Sequence, residues 1–205
     1  MTAGTAPSAT DRSDFRHILV TGTRVGAAVG AAVIVYLLVS RLVPAGIVQT
    51  ALQTVIVLAA AVTAALMPAQ WTTARSTQGI AGAAAVGLWG TIVFMAIDII
   101  VLRPLKAYPW TWDAVGGGST WWYLPIWWML GTFVAWMGGM YTAGRASRGG
   151  SSSLVALATP VLGGAIGVTL VVELAHLGIY LPVAAGAAFA FVLTVFAVVA
   201  IARKT

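Results

Sequence analysis

The chain has 205 residues, of which 60% are hydrophobic and 8% are charged, and it contains no cysteine. A soluble domain carries roughly 25% charged residues, so this composition excludes an ordinary water-soluble globular protein, while the missing cysteine excludes disulfides, thiolate-ligated iron–sulfur clusters and covalent c-type haem in this chain. The net charge of +6 is typical of basic residues at membrane helix ends that contact anionic lipid. We therefore expect the lipid bilayer, and not nucleic acid, as the surrounding partner.

Six apolar segments follow a polar N-terminal stretch, and each is near the roughly 20 residues that a helix needs to cross a bilayer. Their continuous runs of Ala, Leu, Val and Gly favour helices over the alternating strands of a membrane barrel. We predict an all-α, polytopic membrane bundle of about six transmembrane helices. Residues 1–17 are predicted to be a mobile cytoplasmic tail, and residues 18–205 a single transmembrane domain. The predicted helices run over about 25–43, 45–67, 79–102, 122–143, 154–177 and 182–202.

Lys and Arg are distributed unequally between the two ends of these predicted helices. Eight lie on the side of the N-terminal tail, and three lie on the opposite side, at Arg41, Arg103 and Lys106. Basic residues collect in the cytoplasm, so both termini are predicted to be cytoplasmic, and the protein to be a multi-pass component of the cell's cytoplasmic membrane. If the short first segment does not span, the number of helices becomes five and the topology changes.

The longest connection, about residues 103–121, is predicted to face outward and is rich in tryptophan. Trp and Tyr favour the headgroup level of a membrane, where the ring is half apolar and its polar atom stays hydrated. This loop is expected to lie on the membrane as an aromatic belt, or else to form a stacking platform for a planar ligand or a docking surface for a partner. The residues of this aromatic surface are Trp110, Trp112, Trp121 and Trp122.

The sequence Trp110-Thr111-Trp112-Asp113 resembles part of the tryptophan-rich outward segment of haem-handling proteins in cytochrome c maturation. Some members of that family have six helices, with this segment between the third and the fourth. The resemblance implies an outward histidine as a haem ligand, a role that His176 would fill. The four residues are followed by Ala-Val-Gly-Gly-Gly, which departs from the polar motif of the family, and the connection between the first two helices lacks a histidine.

Small residues recur at every fourth position in three of the predicted helices. Residues at this spacing share one helix face, and small faces allow helix backbones to approach closely. We expect these faces to pack against other helices, within the chain or in a partner subunit. The candidate packing residues are Gly22, Gly26 and Gly30 in the first segment, Gly131 and Gly139 in the fourth, and Gly163 and Gly167 in the fifth.

A few polar residues fall inside the outer third of the predicted helices. An ionisable group at a helix centre costs roughly 2.5–3.5 kcal/mol on the insertion scale, which makes such residues candidates for function. We predict an outward-facing polar cluster that binds a cation, relays protons or holds a polar headgroup. Its members are Gln49, Gln53, Asp98, Glu173 and His176. The alternative is that each residue meets interfacial water or pairs locally, as Asp98 would with Arg103.

The Glu173-x-x-His176 spacing is similar to the Glu-x-x-His element of di-metal carboxylate bundles. Those sites need two such elements and two further Glu residues, which this chain lacks. A mononuclear site of Asp98, Glu173 and His176 is the remaining metal hypothesis, and the sequence identifies neither a metal nor a cofactor.

These observations favour a non-catalytic membrane subunit, with a scaffold or accessory role in a larger membrane protein complex. The alternative is a small transporter or an ion- or proton-binding protein that uses Asp98, Glu173 and His176. A haem-handling protein or a metal-dependent membrane enzyme component is a minor alternative. The sequence contains no nucleophile elbow and no phosphate-binding Gly loop followed by Lys, so we do not expect the chain to be an enzyme on its own.

Overall fold

The computed structural model describes residues 14–105 and 123–202, and every regular element in these two ranges is helical. The described residues form six helices, so the predicted all-α fold is confirmed. They are α1 (Phe15–Leu42), α2 (Ile47–Trp71), α3 (Thr77–Ile97, continued by a π-helical turn over Asp98–Leu102), α4 (Tyr123–Ala146), α5 (Leu154–Leu174) and α6 (Leu181–Ala202).

Helix α1 begins at Phe15, ten residues before the predicted start. The Asp14 side chain accepts a hydrogen bond of 3.0 Å from the His17 N–H, which satisfies one of the free donors at the helix start. The His17 imidazole Nε2 lies 2.8 Å from the Trp71 carbonyl oxygen at the end of α2. Residues 15–17 therefore belong to the helix and not to the predicted tail, while residues 1–13 lie outside the described ranges.

Five of the six described helices are long and apolar enough to span a bilayer, namely α1, α2, α3 with its π-helical turn, α5 and α6. Helix α4 is 24 residues long but contains several Trp and Gly residues, which lower its mean hydropathy. The outer faces are apolar as well: the side chains of Leu38, Val55 and Leu170 are 49%, 64% and 57% exposed. A surface of this kind suits lipid and not water, so the chain is a multi-pass membrane protein.

Close approaches between the helices give their relative directions. Along α1, Gly22 lies beside Trp89 and Gly30 beside Ile97, so α1 and α3 are parallel. Gly131 of α4 lies beside Thr91, whereas Gly139 lies beside Ala83 nearer the start of α3, so α3 and α4 are antiparallel. Successive helices thus alternate in direction. We call the end that holds the start of α1 the proximal end, and the end that holds the start of α2 the distal end.

Helix α2 is the centre of the bundle, since it packs against each of the other five described helices. The fully buried side chains around it include Leu66, Leu157, Phe189 and Leu193, which join α2, α5 and α6 in one core. Helix α5 packs mainly on α6, with a smaller contact to α2. Half of the α5 surface therefore faces outward.

Candidate functional site

The first part of the predicted polar cluster lies at the distal end, where a four-residue connection joins α1 to α2. Gln49 is in the first turn of α2, and its side-chain Nε2 donates hydrogen bonds to the carbonyl oxygens of Ser40 (3.1 Å) and Val43 (2.9 Å). The last carbonyls of a helix have no partner inside the helix. Gln49 therefore caps the end of α1 and holds it against the start of α2.

Gln53 lies one helical turn further along α2 and is 3% exposed. Its Nε2 donates a 2.7 Å hydrogen bond to the Ser40 hydroxyl, and its Oε1 accepts one from the Tyr180 hydroxyl. The Tyr180 side chain is also hydrogen-bonded to Tyr36. Tyr36, Ser40, Gln49, Gln53 and Tyr180 thus form one set of linked side chains, which we call the distal network.

The distal network connects α1, α2 and the segment that leads into α6. Tyr36 and Ser40 are four residues apart on α1, as Gln49 and Gln53 are on α2, so each pair shares one helix face. The two glutamines were predicted from the sequence, whereas Tyr36, Ser40 and Tyr180 were not. The i, i+4 pairing of polar residues on both sides of a short turn was the signal that would have found the first two.

The chemistry of the distal network is that of neutral hydroxyls and amides. These groups donate and accept hydrogen bonds, and a buried amide without partners costs roughly 1–3 kcal/mol. The Gln53 amide has partners on both its oxygen and its nitrogen. The network is therefore suited to holding three helix ends together within the membrane.

Asp98 lies at the distal end of α3, separate from this network, and is 7% exposed. Its Oδ2 is 3.2 Å from Arg103 Nε, and its carbonyl oxygen accepts a 2.9 Å hydrogen bond from the Arg103 N–H. Residues five apart in an α-helix are about 140° apart around the axis. The π-helical turn instead closes hydrogen bonds five residues apart, which brings Arg103 over Asp98. The local pairing that the sequence allowed is thus present.

Glu173 and His176 are both exposed at the distal end of α5. Helix α5 ends at Leu174, so His176 lies beyond it and not on the predicted shared helical face. Its backbone has a φ of 50°, in the left-handed region, and its N–H bonds to the Glu173 carbonyl oxygen at 3.0 Å. His176 is the first residue after the helix C-cap, and a left-handed residue at this position commonly ends a helix.

The predicted polar cluster therefore divides into three parts: the two glutamines, the Asp98–Arg103 ion pair, and the exposed Glu173 and His176. In the described part of the chain, no three His, Asp or Glu side chains come together with the spacing of metal ligands. Asp98, Glu173 and His176 thus do not form the mononuclear site that the sequence suggested.

Most of the candidate packing glycines lie at contacts between helices of this chain. A Cβ atom on Gly26 would overlap the carbonyl oxygen of Gly90, and one on Gly131 would overlap the Thr91 side chain. A Cβ on Gly139 would lie 3.3 Å from that of Ala83. Helices α1 and α4 therefore approach α3 closely, from two sides. Gly138, which was not among the predicted packing residues, lies against the Ala65 carbonyl oxygen of α2.

Gly163 and Gly167 of α5 differ from the other candidate glycines. Both are exposed, and a Cβ on either would meet no atom of the described chain within 4 Å. Their neighbour Gly164 instead faces α6, where a Cβ would lie 2.7 Å from Val192 Cγ1. The small-residue face that Gly163 and Gly167 form is therefore directed away from the bundle.

The predicted aromatic surface of Trp110, Trp112, Trp121 and Trp122 lies outside the described residues, as does most of the predicted loop. Beyond it, Trp127 near the distal end of α4 packs edge-on against Phe94 of α3, with ring centroids 6.4 Å apart. Comparison with protein-family models, curated proteins and solved structures gave no significant match.

Proposed function

We propose that the protein is a non-catalytic subunit of a larger membrane protein complex, which a partner subunit joins along the outward face of α5. The observation that carries the proposal is the contrast between two sets of glycines. Those of α1 and α4 are covered by neighbouring helices, whereas a Cβ added to Gly163 or Gly167 would meet no atom of another helix within 4 Å among the described residues. Small faces of this kind allow a second helix to approach closely in a bilayer.

The open face extends over the whole length of α5. Its residues recur at intervals of three or four, which places them on one side of the helix. They are exposed to between 52% and 77% where they are large and apolar, and two glycines interrupt them near the middle. The face comprises Val155, Thr159, Gly163, Ile166, Gly167, Leu170, Val171 and Leu174.

The polar side chains support a structural role. Gln49 and Gln53 hold helix ends together, and Asp98 is paired with Arg103. The alternative, a transporter or ion-binding protein that uses Asp98, Glu173 and His176, has less support because these three side chains do not converge. It predicts that Glu173→Gln abolishes transport or ligand binding.

We further propose that the bundle spans the cell's cytoplasmic membrane six times, with both termini in the cytoplasm. Helix α4 would be the sixth span, since it is about 36 Å long and lies between α3, α2 and α6. Among the described basic residues, Arg16, Arg75, Arg145 and Arg148 lie at the proximal end, which the distribution of positive charge assigns to the cytoplasm.

The test is native mass spectrometry of the tagged protein purified from its own membranes in mild detergent. A second subunit in fixed stoichiometry is expected, and the Gly163→Leu/Gly167→Leu variant should release it because leucine side chains fill the close-approach face. Ala31→Leu is the matched control, since Ala31 is exposed on α1 and away from α5. A stable monomer with no co-purifying subunit, or release by both variants, would contradict the proposal.

A further inference from the structure

Glu173 is the one acidic side chain of the described ranges that has no partner within them. Asp14 caps the start of α1, and Asp98 pairs with Arg103. Glu173 is exposed in the last turn of α5. The carbonyl end of a helix carries a partial negative charge, which disfavours a carboxylate in the last turn. The local structure therefore does not stabilise the charge of Glu173.

The helices around Glu173 cannot supply a compensating charge. Helix α5 packs on α6 and, to a smaller extent, on α2. Neither of these helices contains a Lys or an Arg, and neither does α5 itself. A cation that pairs with Glu173 therefore comes from outside these three helices.

Glu173 also lies on the open face of α5, in line with its glycines. Five exposed residues follow one another along this face at intervals of four and three, the spacing with which one helix packs along another. They are Thr159, Gly163, Ile166, Leu170 and Glu173. From Gly163 to Glu173 the line is about 15 Å long. A partner helix that packs on the glycines and follows this line would cover the Glu173 carboxylate.

The covered carboxylate constrains the chemistry of the partner. A charge that loses its water is costly unless an opposite charge replaces that water. Complementary charges across an interface also exclude wrong partners. Since α2, α5 and α6 offer no cation, the compensating charge has to be on the helix that covers the face.

The same charge argues against a second copy of this chain on the face. Copies of one membrane protein have the same orientation in the bilayer, so their α5 helices would run parallel. A two-fold axis along the membrane normal brings each residue of such an interface opposite its own counterpart. Two Glu173 carboxylates would then face each other, and like charges in contact disfavour association.

We propose that the partner on the open face of α5 is a different membrane protein, which contributes a transmembrane helix with small residues at the contact and a Lys or Arg near its distal end. That cation pairs with Glu173, while the small residues pack on Gly163 and Gly167. The pairing rests on the proposed subunit role, because it concerns the partner of the same face.

The test uses the tagged full-length protein, purified from its own membranes in mild detergent. Native mass spectrometry over a dilution series measures the fraction that is bound to the partner. Glu173→Gln is expected to weaken the association roughly threefold, since it removes one partly exposed ion pair. Glu173→Lys should weaken it more than roughly tenfold, because repulsion replaces attraction. A lysine in the last turn suits the helix dipole, so this variant should fold.

His176→Asn is the matched control. It removes an exposed ionisable side chain that lies beyond the end of α5 and outside the line of the open face, and asparagine tolerates the left-handed backbone of this position. Its association with the partner should be unchanged. The decisive variant is the charge exchange, in which the partner's distal Lys or Arg is replaced by Glu and should restore binding to the Glu173→Lys protein.

A bound subunit of different mass, weaker binding of both Glu173 variants and recovery after the charge exchange would support the pairing. If the Gly163→Leu/Gly167→Leu variant releases the subunit but Glu173→Lys does not, the face is used and the charge pairing is overturned. A bound subunit with the mass of this chain also overturns it, since a second copy then occupies the face. A wild-type protein that purifies alone would overturn the subunit role and the pairing together.

Discussion

The closest contact between α2 and α4 provides a sharp test of the packing. Gly138 lies directly against the Ala65 carbonyl oxygen, so the Cβ of an alanine at this position would overlap a backbone atom. Ala65 and the adjacent Leu66 are both 0% exposed, and Ala65 is part of the largest buried cluster. A helical carbonyl cannot move independently of its helix, so Gly138→Ala must push α2 and α4 apart.

The expected change in the free energy of unfolding is the difference between a cost of overpacking and a gain in helix propensity. Overpacking of a closely packed core costs typically 1–3 kcal/mol, and the cost should be at the upper end here because the obstacle is backbone. Replacing a helical glycine by alanine returns roughly 1 kcal/mol of helix propensity. We therefore expect Gly138→Ala to lower the free energy of unfolding by about 1–2 kcal/mol.

Gly163→Ala is the matched control, since it makes the same chemical change at a helical position where the added Cβ would meet no atom of the described neighbouring helices within 4 Å. It should keep the propensity gain and raise the free energy of unfolding by up to roughly 1 kcal/mol. Reversible unfolding in mixed micelles, followed by tryptophan fluorescence, measures both variants. If Gly138→Ala proves as stable as Gly163→Ala, the close approach of α2 and α4 is refuted.

Three further predictions concern the distal end, and the same unfolding assay tests each of them. Gln53→Leu and Tyr180→Phe should each cost about 1 kcal/mol, since hydrogen bonds between membrane helices average roughly 0.6 kcal/mol and each of the two side chains makes two; unchanged stability in both variants would argue against the network. Arg103→Gln should destabilise the protein more than Asp98→Asn does. The first variant removes the ion-pair partner of a side chain that is only 9% exposed, whereas in the second variant the long arginine side chain can extend toward water. The reverse order would contradict the pairing. His176→Gly should stabilise by up to roughly 1 kcal/mol, because glycine adopts the left-handed conformation without steric cost; a loss of stability would indicate a side-chain contact of the histidine.

The positions of the helices were predictable because long apolar runs and their Gly- and Pro-containing turns are local features. The start of α1 was not, since Arg16, His17 and Arg24 made the first turns look like a polar tail. The helix begins there because Asp14 caps it and His17 contacts the end of α2. The second of these contacts joins residues 54 positions apart, which no local pattern reveals.

The contact partners of the candidate site residues were likewise not predictable from local sequence. Gln49 and Gln53 were predicted from their depth and spacing, but their partners Ser40 and Tyr180 come from other helices. Asp98 pairs with a residue five positions away through a π-helical turn, which no local pattern of residues indicates. The same i, i+4 glycine pattern occurs on α1, where it is covered, and on α5, where it is open. Spacing indicates a small face, whereas the three-dimensional arrangement decides what the face meets.

The two ends of the bundle are expected to lie on opposite sides of a membrane, and this arrangement can be tested directly. The chain contains no cysteine, so single cysteines at Ala45 and Gly178 of the distal end, and at Ser147 and Ser151 of the proximal end, can be labelled in intact cells with a membrane-impermeant maleimide. We expect labelling from outside at the two distal positions, and labelling at the two proximal positions only after the membrane is opened. Labelling of Ala45 and Ser151 from the same side would contradict it.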